Sequence, residues 1–167
     1  MDITRAVVDG HEICVHTWSH CYMTGFSNEG VFAELNYTME AIKLVTGFTP
    51  TCWRPPFGDI DDRICCIAAR LRLETIMWQY NSNDWQAGTG GVTAATVAAN
   101  YNALIAGVGS GTFDGAGAII LTHELNNFMM QEAVSYYPKL AAAFDALLIN
   151  ATQHIVPIAV AQNKTQP

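Results

Sequence analysis

An α/β fold with a largely parallel sheet is predicted by three observations. Short apolar runs alternate with longer stretches whose apolar residues recur every three or four positions. The apolar runs carry little alternation, as strands covered on both faces do. Chemistry-bearing polar residues stand just after those runs, where parallel sheets place their sites. With 167 residues, half of them hydrophobic and 14% charged, the chain can bury a sizeable core. No repeat or linker interrupts it, so residues 1–161 are expected to form one domain, followed by a polar tail at 162–167.

Taken in order, Ile3, Ala6, Val7 and Val8 read as the end of a helix stopped by Gly10. A strand is expected over about 12–15, delivering His16. Ser27 or Asn28 can cap the next helix, whose inner face is Val31, Leu35, Met39, Ile42 and Val45, with Gly47 as its stop. An extended run, 49–53, opens with Pro50 and leads into Arg54-Pro55-Pro56-Phe57-Gly58, where two prolines set a rigid turn. Asp59 to Arg63 is an acidic first turn of a helix carried on by Ile64, Ile67, Ala68 and Leu71. A third strand spans 72–78, a glycine loop 88–91, and an alanine-rich helix 93–107. Ala118 to Leu121 is a fourth strand, expected to be covered on both faces. The helix over 130–148 is expected to turn Val134, Tyr137, Leu140, Ala141, Phe144 and Leu147 inward, and a last strand is expected at 155–160.

Composition excludes several partners. A net charge of −7 argues against nucleic acid, and no run of 18 apolar residues is present to span a membrane. Three glycosylation sequons, at Asn36, Asn150 and Asn163, favour a secreted protein, whereas residues 1–8 lack signal-peptide architecture. Together they lead to the expectation that residues precede Met1 in the parent protein. Of the five cysteines most are expected to be small buried core residues, and the odd count leaves at least one unpaired within the chain.

His16 and His20 stand four apart. A helical turn after Val15 would put both imidazoles on one face, a spacing from which two nitrogens reach one metal ion. Surface or hydrogen-bonded histidines are the alternative for the pair alone. Arg54, Asp84 and His123 each follow the end of another expected strand, so four candidates are expected on one sheet edge.

The segments His16-Thr17-Trp18-Ser19-His20, Arg54-Pro55-Pro56-Phe57-Gly58, Asp84-Trp85 and Leu121-Thr122-His123 occur in the order and rough spacing of the polysaccharide deacetylase (NodB-like, carbohydrate esterase) family. With Thr51-Cys52-Trp53 and Glu124-Leu125-Asn126-Asn127, the chain most resembles fungal chitin deacetylases. That resemblance implies a distorted (β/α) barrel and a divalent metal, zinc or cobalt, held by His16 and His20. It implies His123 as the general acid and Asp84 as the residue that orients it and favours its cation. Arg54 would orient a catalytic base, and the Phe57 N–H would help hold the oxyanion. Trp18 and Trp85, with Trp53, would offer apolar surface to sugar rings, core packing being the alternative for all three. The implied substrate is chitin or a chitooligosaccharide, deacetylated at its N-acetyl groups by a secreted or cell-wall enzyme.

The family's third metal ligand and its base are adjacent aspartates in a Thr-Phe-Asp-Asp-Gly motif, which this chain does not contain. Asp61-Asp62 lies after Arg54 and opens a helix, so it is expected to be structural; Thr112-Phe113-Asp114-Gly115 has one aspartate. Asn81 and Asn83 stand where relatives commonly carry acidic residues. His11 and His154 are expected to be packing or surface residues. The chain is therefore expected to lack the barrel's first strands, about 30 residues for each missing strand–helix unit, and to have little or no activity. Two alternatives remain open: a non-catalytic chitin-binding wall protein on the same scaffold, and a deacetylase of another acetylated glycan.

Overall fold

The computed structural model describes residues 3–113 and 117–148, with side chains as far as residue 144. The chain divides into two compact units, one running to Met77 and the other beginning at Trp78. The strand expected at 155–160, the tail at 162–167, His154, and the sequons at Asn150 and Asn163 lie outside the described residues.

In the first unit, α1 (Ile3–Val8) ends before Gly10, whose φ of 86° suits a residue without Cβ. Helix α2 (Asn28–Thr46) starts where the Ser27 hydroxyl accepts the Gly30 N–H, and it stops at left-handed Gly47. Its inner face is Val31, Leu35, Met39 and Ile42, as the spacing predicts; Val45, expected there, lies on the last turn and is exposed. Helix α3 (Asp62–Arg70) is capped by Asp61, whose carboxylate accepts the Ile64 N–H, which makes Asp61-Asp62 structural as expected. Strands β1 (Cys52–Trp53) and β2 (Glu74–Thr75) pair in parallel with Cys52 opposite Glu74. The strand expected over 12–15 is reduced to a parallel bridge from Val15 to Trp53. Three chain segments thus run side by side in one direction over a core of Val15, Trp53, Leu35, Ile64 and their neighbours.

A disulfide joins Cys14 to Cys52 across 38 residues of chain. In the chain-entropy view, closing a loop of that length stabilises the folded state by about 4 kcal/mol. The remaining cysteines do not follow the core reading: Cys21 and Cys66 are exposed and Cys65 is half-buried. Cys66 falls on the outer side of the α3 face set by Ile64 and Ala68.

In the second unit, β3 (Tyr80–Asn81) and β4 (Ile120–Leu121) pair in parallel, with Tyr80 opposite Ile120. Both β4 residues are half-buried rather than covered on both faces. Helix α4 (Ala94–Gly109) opens on a reciprocal cap between Thr93 and Thr96 and buries Val97, Tyr101, Leu104 and Val108. Helix α5 (Asn127–Leu148) packs Met129, Tyr136, Leu140, Ala143 and Phe144, a series stepping by sevens, fours and threes. Val134 and Tyr137, expected inside, are 66% and 60% exposed. Apolar residues occur all round this helix, so spacing alone left its orientation open. The Tyr136 ring stacks on Tyr101, centroids 4.6 Å apart, and fixes it.

Candidate active site

In the first unit the backbone ladder ends with Val15 N–H donating to Cys52 O and Arg54 N–H donating to Val15 O. His16 and Arg54 therefore leave the same end of adjacent parallel segments. The Arg54 carbonyl lies 2.7 Å from His16 Nδ1. A carbonyl only accepts, so Nδ1 carries the hydrogen and Nε2 is the nitrogen with which His16 would ligate.

The chain after His16 does not turn helical. Thr17 and His20 take left-handed φ values of 64° and 55°, which make a tight irregular turn. Its imidazoles still come together, with ring centroids 4.9 Å apart at 73°. Two left-handed non-glycine residues cost roughly 1–2 kcal/mol each. Hydrogen bonds offset this. The Thr17 hydroxyl accepts the His20 N–H, and Glu34 of α2 accepts the Trp18 and Ser19 N–H groups, both at 2.8 Å, and the Ser19 hydroxyl at 2.9 Å. Bonds to a charged acceptor contribute about 1.5–3 kcal/mol each. The turn is stable because another element holds it, not because its own sequence prefers that shape.

The second loop, 54–59, packs on the first. Pro55 and Pro56 are buried, and Phe57 sits on a short 3₁₀ turn (Pro56–Gly58) with φ 59°. Its exposed ring stacks on Tyr22 at 4.4 Å and meets His20 edge-on at 4.9 Å. A row of four rings results: His16, His20, Phe57, Tyr22. Asp59 fastens the loops by accepting from the N–H and hydroxyl of Thr24. The Arg54 side chain is partly buried, and desolvation lowers its pKa from the ordinary guanidinium value.

The histidine pair fits part of a metal-binding set. Two imidazoles sharing a tetrahedral zinc would have ring centroids about 5 Å apart, given nitrogen–zinc bonds near 2 Å. The observed 4.9 Å agrees, and the carbonyl at His16 Nδ1 gives the second-nitrogen support that ligating histidines usually have. Glu12, Cys14 and Cys52 also approach one another, but both sulfurs are in the disulfide and offer no thiolate.

In the second unit the ends of β3 and β4 bring Asp84 and His123 together. The Asp84 side chain is buried; Oδ2 accepts the His123 N–H at 2.8 Å and Oδ1 lies 2.7 Å from His123 Nδ1. An ionised carboxylate only accepts, so Nδ1 carries the hydrogen and Nε2 is directed away from the aspartate. Ser82, also buried, supports the pair: its hydroxyl donates to Leu121 O and accepts the Asp84 N–H. Asn100 of α4 donates to Ser82 O. Asn81 accepts the N–H of left-handed Asn83, so these two residues shape the turn into Asp84.

The tryptophans separate. Trp18 is 66% and Trp85 49% exposed, whereas Trp53 is fully buried with its indole N–H on Thr75 Oγ1. Trp53 is therefore a core residue and no sugar platform. His11 is exposed, as a surface residue should be. Three partners of the site were not visible in the sequence: Glu34, Tyr22 and the Cys14–Cys52 bond. A glutamate that reaches the turn from a helix 15 residues further along the chain leaves no local trace in the motif.

Residues 1–76 match the polysaccharide deacetylase family. Chitin deacetylase 2 of Cryptococcus neoformans var. grubii is 52% identical over 98% of this chain. Chitin deacetylase of Amylomyces rouxii is 47% identical over 89%. The chain spans about a third, 34% and 35%, of the length of these curated relatives. Among solved structures, the chitin deacetylase of the fungal pathogen Colletotrichum lindemuthianum superposes with a TM-score of 0.78, covering 98% of this chain and 67% of that one at 19% identity. The α/β fold expected from the sequence is thus that of the deacetylase structures. The chain is a relative of the polysaccharide deacetylases, and its resemblance to fungal chitin deacetylases holds over most of its length.

Proposed function

We propose that this chain takes part in metal-assisted hydrolysis of the N-acetyl groups of chitin or chitooligosaccharides. The observation that carries the reading is that His16 and His123 are each fixed through Nδ1, to the Arg54 carbonyl and the Asp84 carboxylate. Each presents Nε2 for chemistry. His16 and His20 would hold a divalent ion, zinc or cobalt; when bound it supplies Lewis acidity toward an acetamide and makes water more acidic.

The chain's own residues then divide the work. His123, protonated on both nitrogens, would donate its Nε2 proton to the departing amine nitrogen, which otherwise would leave as a poor amide anion. Asp84 would keep the ring turned for that transfer. The Phe57 N–H would stabilise the oxyanion from a turn that the two prolines pre-organise. Arg54 would orient a carboxylate base, to which no residue of this chain is assigned. Trp18 and Trp85 are exposed enough to lie against sugar faces. The sequon at Asn36 supports action on an extracellular wall polymer.

Acetate release from chitin oligomers, with zinc or cobalt supplied, tests the reading. Weak release by the wild-type chain that falls to background in His123→Ala is expected; measurable release that is equal in wild type and His123→Ala contradicts it. A second reading, chitin binding without hydrolysis, is favoured by one observation: the only adjacent aspartates, Asp61-Asp62, are occupied with the start of α3. Titration calorimetry separates the two, since sugar binding with no zinc heat supports the second.

A further inference from the structure

The structure assigns to Glu34 the task of fixing the metal-binding turn: it is a positioning residue that holds His16 and His20 at the separation one divalent cation needs. The assignment rests on the proposed metal reading of that histidine pair. Four observations lead to it. Glu34 belongs to α2, a helix anchored in the core by Val31 and Leu35 on either side of it. Its carboxylate takes three bonds from two consecutive residues, Trp18 and Ser19, which lie between the histidines. Neighbouring N–H groups converging on one oxygen form an anion-holding concavity, here filled by a side chain instead of a ligand. The residues flanking it, Thr17 and His20, are the two left-handed positions of the turn.

These facts have a consequence for the histidines. His16 is fixed from behind by the Arg54 carbonyl, on the strand side. His20 has no ladder beneath it; its backbone is set by the Thr17 hydroxyl and by the turn that Glu34 clamps. Without the carboxylate, Thr17 and His20 relax toward right-handed or extended backbone, and the 4.9 Å ring spacing opens. The effect of Glu34 on metal is therefore transmitted through His20, and Glu34 itself need not touch the ion.

The test compares Glu34→Ala, Glu34→Asp and Glu34→Gln with Glu40→Ala, an exposed glutamate on the same helix. Zinc affinity is measured by calorimetry, and the imidazole resonances and the Trp18 and Ser19 amide exchange by NMR on metal-free protein. Glu34→Ala is expected to lower zinc affinity about tenfold or more, to speed exchange at both amides, and to shift the His20 ring signals while leaving His123 unmoved. Glutamine is isosteric and can accept both N–H groups while donating to the Ser19 hydroxyl, so Glu34→Gln should restore most of the affinity. If Glu34→Ala does not fold, Glu34→Asp carries the test, because a side chain one methylene shorter cannot reach all three donors. Wild-type affinity, exchange and ring signals in Glu34→Ala or Glu34→Asp would overturn the assignment. Zinc uptake by wild type that survives His16→Ala and His20→Ala defeats the metal reading alone; Glu34 is then judged by the ring signals and amide exchange of the metal-free protein.

Discussion

The two units each present a histidine pinned through Nδ1, but they pin it by different means. In the first, His16 and His20 sit on an exposed irregular turn whose shape comes from Glu34, the Arg54 carbonyl and two left-handed residues. In the second, His123 is held by a buried aspartate at the ends of two paired strands, with Ser82 and Asn100 behind it. The difference matches the chemistry proposed for each. The metal ligands need their turn fixed, which the Glu34 carboxylate does at the surface, whereas the proton donor is aimed from a support that is itself buried. Stability and site geometry should therefore be coupled tightly in the second unit and loosely in the histidine turn of the first.

The largest expected effect tests the covalent exception to that rule. Cys14 and Cys52 tie the segment before His16 to the strand before Arg54, so Cys14→Ser with Cys52→Ser should lower unfolding free energy by about 4 kcal/mol. Urea denaturation checks it, and a loss well under 1 kcal/mol would mean that the reduced chain keeps this loop closed by other contacts. Next comes Asp84→Ala, which strips His123 of two hydrogen bonds inside a buried site. A loss of about 1–3 kcal/mol is expected, along with disappearance of the downfield Nδ1 proton resonance of His123; an unchanged resonance would break the contrast drawn here. Ser27→Ala removes the cap of α2 and should cost about 1 kcal/mol in the same denaturation experiment. The smallest effect is Trp18→Ala, which should stay within about 0.5 kcal/mol of wild type in stability while weakening chitooligosaccharide binding in calorimetry. Equal sugar affinity would remove Trp18 from the substrate surface.

Much of this arrangement was legible in the sequence because it is local. Ser27 and Gly47 bracket α2, Asp61 caps α3, and the apolar runs before His16, Arg54 and His123 mark the strand ends that place them. The pairing of Asp84 with His123 followed from the family pattern. What was not legible depends on contacts distant in sequence. The left-handed backbone of Thr17 and His20 needs a glutamate fourteen or more positions away, since His20 is followed by Glu34 at that remove. No spacing distinguishes Cys14–Cys52 from other pairings of five cysteines. Trp53 looks like any tryptophan beside a site until Val15 and β2 are seen to cover it. The inward face of α5 is decided by Tyr101, on another helix.

The central claim is that the exposed turn is a metal-holding device built on His16 and His20. Titration of the metal-free chain with zinc, in wild type, His16→Ala and His20→Ala, tests it most directly. The account predicts a single saturable site in wild type that both substitutions abolish without a comparable loss of unfolding free energy. Undiminished zinc binding in either variant, or none in wild type, would contradict it.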